Sequence, residues 1–222
     1  MRWIPTPLDP AKPKLYLDLV PQTSWCSNLR SALPKTDWDV LRKAAYRHAN
    51  WDCLICGGRG PKHPLDAHER WHYGDGVQKL IGIDGICPDC HGVCHFGFSC
   101  VQGKEFEAYG HLMKVNYWTH AKAKEHVDAS FDEWEQRSES RWRLDVSLLK
   151  EMQVPLSPEG EKMLVHNGEF WTFAQALESE RAIAESLRKA EEKRALAKKN
   201  ATENTPQPRR KLYTPPVQLN LF

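Results

Sequence analysis

The spacing of apolar and polar positions changes character several times along the chain. Residues 1 to 35 are punctuated by proline and hold one alternating run, Leu15-Tyr16-Leu17-Asp18-Leu19-Val20, of the kind that builds a strand. Thr36-Asp37-Trp38-Asp39 reads as a capping box that opens a helix to about Ala49. A strand near 64 to 70, a turn through Gly74-Asp75-Gly76 and a strand near 77 to 84 follow, then a helix from about 88. Helical spacing returns over 104 to 135. Phe106, Tyr109, Leu112 and Met113 mark one apolar side there, and Val127, Phe131 and Trp134 a later one. Residues 141 to 173 are mixed, with Phe170-Trp171-Thr172-Phe173 a short strand or turn.

The end of the chain has a different composition. Residues 175 to 200 are rich in Ala, Glu, Lys and Arg, with Ile183 and Leu187 on a narrow stripe and Glu185 four before Lys189, the pattern of a long exposed helix. Residues 201 to 217 turn polar and proline-rich (Pro206, Pro208, Pro215, Pro216) and cannot bury enough apolar surface to order themselves. The expected class is therefore α+β: a small finger embedded in a mostly helical chain with a disordered C-terminal tail. Its segments are an N-terminal stretch (1–35), the finger domain (36–103), a helical accessory region (104–173), a charged helix (174–200) and the tail (201–222).

Composition narrows the classes. At 222 residues, 41% hydrophobic and 27% charged, the chain can bury one moderate core plus an appended module. No apolar run approaches membrane-spanning length, and Met1-Arg2-Trp3-Ile4-Pro5-Thr6-Pro7 lacks the apolar stretch of a secretory signal. A cytoplasmic setting without membrane attachment is the expectation. Net charge is only +2, which excludes a generally polycationic nucleic-acid coat. Local clusters matter more: Arg42, Lys43 and Arg47 lie on the helix before the finger, and Arg59, Lys62 and Arg70 surround the hairpin. Together they could neutralise several phosphates. Nine tryptophans is high for this length; Trp51 and Trp71 flank the finger, where core packing is the main job and base stacking a second one.

The cysteines carry the sharpest signal. Cys53-Leu54-Ile55-Cys56 and Cys87-Pro88-Asp89-Cys90 are two hooks, each able to place two sulfurs about 2.3 Å from one ion. A structural Zn²⁺ held by Cys53, Cys56, Cys87 and Cys90 follows, fastening hairpin to helix. The other three of the seven cysteines, Cys26, Cys94 and Cys100, fit a reducing compartment better than a disulfide framework; Cys94 reads as a small buried residue of the helix. His91 and His95 are four apart after the second hook, hence on one helix face, and His68 lies in a segment that could reach the same space. They could equally be surface residues.

This order, Cys-x2-Cys, then Leu65-Asp66-Ala67-His68 in a strand, a second strand, then Cys-x2-Cys with Cys90-His91 opening a helix, resembles the HNH nuclease module over roughly residues 36 to 100. The resemblance implies a ββα-metal finger that clamps one divalent ion, Mg²⁺, Mn²⁺ or another, against a DNA phosphodiester. It implies His68, His91 and His95 as holders of that catalytic ion, and 5′-phosphate and 3′-hydroxyl products. The family strand usually ends in Asp-His or His-His, where this chain has His68-Glu69. In one register His68 binds metal and Glu69 is the general base; in the other His68 is the base and Ala67 stands where a ligand should be. The family's middle asparagine has no clear counterpart, Asp84 being the nearest polar residue.

A second resemblance sits at the last five positions. Gln218-Leu219-Asn220-Leu221-Phe222 is similar to the Gln-Leu-x-Leu-Phe peptide by which bacterial polymerases and repair proteins dock on the sliding clamp. It implies Gln218, Leu219, Leu221 and Phe222 as a partner-binding motif, and a bacterial or phage setting: a bacterial cytoplasm or nucleoid, or a host cell. The expected function is an HNH-type endonuclease, a hydrolase of DNA, recruited to the replication clamp. A catalytically inactive, zinc-stabilised DNA-binding adapter is the alternative, and an RNA-directed nuclease a third reading that the clamp-like tail disfavours.

Overall fold

The computed structural model describes residues 1–25 and 28–165 and, beyond them, the helical positions Glu185, Arg188 and Glu192. Cys26, residues 170–173, most of the charged helix expected over 175–200, the tether over 201–217 and the clamp-like motif at Gln218, Leu219, Leu221 and Phe222 lie outside the described residues. The chain divides into two units, Met1–Glu185 and Ser186–Phe222. In the second, Arg188 pairs with Glu192 at 2.7 Å, one helical turn away.

The first unit is a mixed α+β fold, as the sequence pattern predicts. Its elements are α1 (Leu29–Ala32), α2 (Lys35–His48), β1 (Asp66–Gly74), β2 (Val77–Ile86), α3 (Pro88–Cys94), α4 (Phe96–Val101), α5 (Glu105–Asn116), α6 (His120–Ser138), β3 (Arg143–Asp145), α7 (Ser147–Glu151) and α8 (Pro158–Val165). Strands β1 and β2 are antiparallel and β3 adds parallel to β2, with Val77 opposite Arg143. The hairpin closes through Asp75 and Gly76, both at positive φ (51° and 70°), the combination a tight primed turn requires. Arg70 faces Gly82 and Trp71 faces Leu80, so Ile81 is an unopposed bulge residue.

Strand alternation divides the hairpin into two unlike faces. Asp66, His68 and Arg70 share one face with Ile86, Asp84 and Gly82; Ala67, Glu69 and Trp71 share the other with Gly85, Ile83 and Leu80. Each face covers its own core. The first gathers Ile86, Val93, Phe96, Leu112, Val127 and the buried hook cysteines. The second packs Trp71, Leu80 and Ile83 against Leu29, Leu41, Leu144 and Leu149.

Three local expectations are corrected. The run Leu15–Val20 is extended, with Leu15, Leu17 and Leu19 buried as the alternation demands, but it joins no strand. Its backbone is satisfied elsewhere: Leu15 N–H and C=O by the Asn116 amide (3.0 and 2.7 Å), and Asp18 N–H by the Cys94 carbonyl at the end of α3 (2.9 Å). Helix α2 begins at Lys35 behind Pro34, with no side-chain cap. Asp37 is instead buried and accepts from the Ser157 N–H (3.1 Å) and hydroxyl (2.7 Å), tying α2 to the entry of α8. Phe106 is 88% exposed at the start of α5, whose buried face is Ala108, Leu112 and Val115.

The N-terminal stretch also lies against the hairpin. A Cβ at Gly82 would fall 1.9 Å from Thr6 Oγ1, so only glycine admits the close approach that lets Thr6 donate to Asp84 Oδ1 at 2.6 Å.

Candidate metal centre

The two hooks meet where the chain leaves α2 and where it enters α3. The first turn needs Gly57 at φ +76°, and the Gly58 N–H donates to Cys56 Sγ at 3.3 Å. In the second, Cys87 is the N-cap of α3: its sulfur accepts from the Cys90 N–H at 3.5 Å, one of the orphan donors of the first helical turn, and Pro88 needs no donor. Cys56 Sγ and Cys87 Sγ are 3.6 Å apart, and all four sulfurs lie within 4.8 Å of one another. A tetrahedral zinc with bonds of about 2.3 Å requires sulfurs roughly 3.8 Å apart. Cys53, Cys56, Cys87 and Cys90 therefore form a cluster that could hold a metal ion such as zinc.

The protonation chemistry of this cluster points the same way. Hydrogen bonds from Cys87 and Cys90 draw the Cys53 thiol far below its ordinary value, while the bond to Cys53 pushes Cys87 up. Crowded thiols that share protons in this manner are a donor set a dication satisfies better. One neighbour was invisible in the sequence: His111 of α5 brings Nε2 to 3.1 Å from Cys90 Sγ.

The second cluster lies one step further along α3. His68 of β1, His91 of α3 and His95, the residue that ends α3, bring their ring nitrogens within 4.8 Å of one another, with ring centres 5.4, 4.9 and 4.7 Å apart. His68 is buried; its Nε2 lies 3.3 Å from Asp18 Oδ2, and its Nδ1 is buried without a partner. A buried imidazole nitrogen left open in this way, beside two further imidazoles, fits a cation. Burial first, then the Arg70 charge, lowers His68 well below the usual histidine range, and burial with the neighbouring His91 takes His95 down to about 4. All-imidazole donors suit Zn²⁺, Ni²⁺ or Co²⁺ better than Mg²⁺, which prefers oxygen. The rim is polar: Asp66 Oδ2 lies 3.4 Å from His91 Nδ1, and its Oδ1 3.0 Å from Nε2 of the exposed His63.

Two expected site residues do not take the places expected of them. Glu69 follows His68 directly, so it projects to the opposite face, where its carboxylate accepts from the Leu29 N–H at 2.9 Å. Burial pushes that carboxyl up to about 7, against hydrogen bonds from Leu29 and neighbouring groups. Arg70 is a buried structural cation rather than a phosphate ligand. Its Nε donates to Asp84 Oδ2 (2.9 Å) and its Nη1 to Asp18 Oδ2 (3.2 Å), and its guanidinium stacks 4.9 Å over the Tyr16 ring.

The remaining basic residues divide between two places. Lys43 and Arg47 are exposed and Arg42 pairs with Asp39 at 2.6 Å, but all three ride on α2, which packs on the Glu69 side of the sheet. Arg59, paired with Asp52 at 2.7 Å, and Lys62 are exposed on the loop that leads into His63 and Asp66. Cys94 is buried and accepts from Arg70 Nη1 at 3.7 Å, standing apart from both ligand sets as a neutral helix residue. Trp71 is core and Trp51 is nearly half exposed. No helix among the described residues is long and apolar enough to cross a membrane. No family model, no curated protein and no solved structure matches this chain.

Proposed function

We propose that the chain is a metal-dependent DNA endonuclease of the HNH type, recruited to a sliding clamp. The observation that carries the nuclease reading is the gathering of His68, His91 and His95 on a hairpin–helix unit, with the buried His68 Nδ1 left without a partner. A divalent ion held there, Mn²⁺ or a borderline ion ahead of Mg²⁺, would stabilise charge on the departing 3′ oxygen. Lys62 and Arg59, beside the same rim, are the residues in reach of the flanking phosphates; their surface position makes that binding salt-dependent and indifferent to sequence.

Proton transfer to the attacking water needs a base other than Glu69, whose carboxylate faces the second core. His63 fills that role in this reading: Asp66, which also lies 3.4 Å from His91 Nδ1, holds its Nε2 and leaves Nδ1 as the basic nitrogen. The four-cysteine cluster holds structural zinc. The sequence Gln218 to Phe222 is the clamp-binding element, with Leu221 and Phe222 as anchors and Leu219 as a lesser one.

The deciding experiment is incubation of supercoiled plasmid with the purified full chain and Mn²⁺, beside His91→Ala and His63→Ala. Nicking or linearisation by the wild type and its loss in both variants is the expected result. Cleavage by neither wild type nor variants, with DNA still bound, establishes the inactive adapter. Deletion of the last five residues leaves cleavage of free DNA intact and removes stimulation by a clamp.

A further inference from the structure

Asp18 lies outside the segment that carries any nuclease resemblance, yet its carboxylate touches His68, as that of Asp66 touches His91. The extended stretch around it is pinned at both ends of the approach: Leu15 by Asn116 of α5, and Asp18 itself by its N–H to the Cys94 carbonyl. Its side chain is buried, and Oδ2 takes both the His68 Nε2 at 3.3 Å and the Arg70 Nη1 at 3.2 Å. Arg70 is held from its other side by Asp84, and Asp84 by the Thr6 hydroxyl. The chain Thr6–Asp84–Arg70–Asp18–His68 is thus a series, half-buried at Thr6 and Asp84 and buried from Arg70 inward, in which each group fixes the next.

The consequence follows from donor counting. An ionised carboxylate only accepts, so His68 must place its single proton on Nε2 to make this bond. Its Nδ1 then carries the lone pair; Nδ1 is the buried atom that has no partner, in a ring set edge-on to those of His91 and His95. We propose that Asp18 is the positioning residue of the histidine cluster: it selects the tautomer and ring orientation with which His68 binds a divalent cation. This rests on the metal-binding role assigned to the cluster above. Carboxylate–histidine pairs of this kind raise metal affinity about 10- to 100-fold.

The test uses the full chain with zinc retained at the cysteines. First, ¹⁵N-histidine NMR of the wild type without added metal reads the tautomer directly; an Nε2–H imidazole at His68 is expected, and an Nδ1–H imidazole overturns the proposal without any substitution. Second, Mn²⁺ titration followed by electron paramagnetic resonance compares wild type with Asp18→Asn and Asp18→Glu. Asp18→Asn weakens Mn²⁺ about 10- to 100-fold, and Asp18→Glu, which keeps the acceptor, recovers part of the loss. An unchanged affinity in a folded Asp18→Asn chain overturns the proposal. His91→Ala assigns the Mn²⁺ to this cluster. If His91→Ala binds Mn²⁺ as the wild type does, the metal-site reading itself fails, whereas the NMR result still decides whether Asp18 sets the tautomer.

Discussion

The two clusters share one seven-residue helix and differ in almost everything that surrounds them. Cys90 and His91 are adjacent in α3, yet one belongs to a set of four thiols sealed by backbone N–H donors and the other to three imidazoles with a polar rim. A closed tetrahedral donor set leaves a metal no free position and so serves the fold. Three donors beside Asp66 and an exposed His63 leave room for a further ligand, which is what chemistry on a bound substrate requires. The lesson is that the hooks give α3 its position and the position gives the histidines their geometry.

That asymmetry can be broken from either side. Cys87→Ser has the largest effect: the chain loses its zinc, one per molecule by metal analysis, and the finger unfolds, because structural zinc contributes apparent energies of about 10 kcal/mol to folding. Circular dichroism with and without a chelator reads this. His95→Ala keeps the zinc and the melting transition but lowers plasmid cleavage by about 100-fold or more, near 2.7 kcal/mol in the barrier. A His95→Ala chain that lost its zinc as well would merge the two clusters into a single cooperative site.

Smaller substitutions sharpen the contrast between the hairpin faces. Glu69→Gln leaves cleavage unchanged, since its carboxyl lies on the face away from the histidines. It does alter stability. A carboxyl whose folded value is raised from 4.5 to about 7 holds its proton longer in the folded chain, so wild-type stability falls as pH rises through that window. The amide has no proton to lose. Urea melts at pH 5 and pH 8 therefore show Glu69→Gln gaining on the wild type by up to roughly 3 kcal/mol at the higher pH. The smallest effect belongs to His111→Leu. It removes the contact to Cys90 and costs about 1 kcal/mol, with zinc retained but passed to a chelator a few-fold faster.

Local signals in the sequence were legible and cross-chain ones were not. The hooks, the hairpin with its Gly74-Asp75-Gly76 turn and the helix from 88 all depend on residues within a few positions of one another, and each lies where the periodicity puts it. Glu69 shows a subtler failure. The register of the resemblance put it in the place of the base, but the strand assignment already implied that neighbours point apart, and it equally placed Arg70 beside His68 on the buried face. Asp18 and His111 left no such trace. They reach their partners from 50 and 21 residues away, through packing that no spacing rule encodes.

The long reach of the N-terminal stretch has a consequence for when the molecule becomes competent. Leu15 and Leu17 find their partners 101 and 109 residues later, at Asn116 and His126. At a synthesis rate of about 5–20 residues per second, the first segment waits for roughly 5–20 s before the helices that receive it have been made. The hairpin and both hooks are complete well before then. His68 is thus in place well before its carboxylate is locked against it, and the imidazole cluster reaches its final protonation pattern only as α5 and α6 close over the stretch around Asp18.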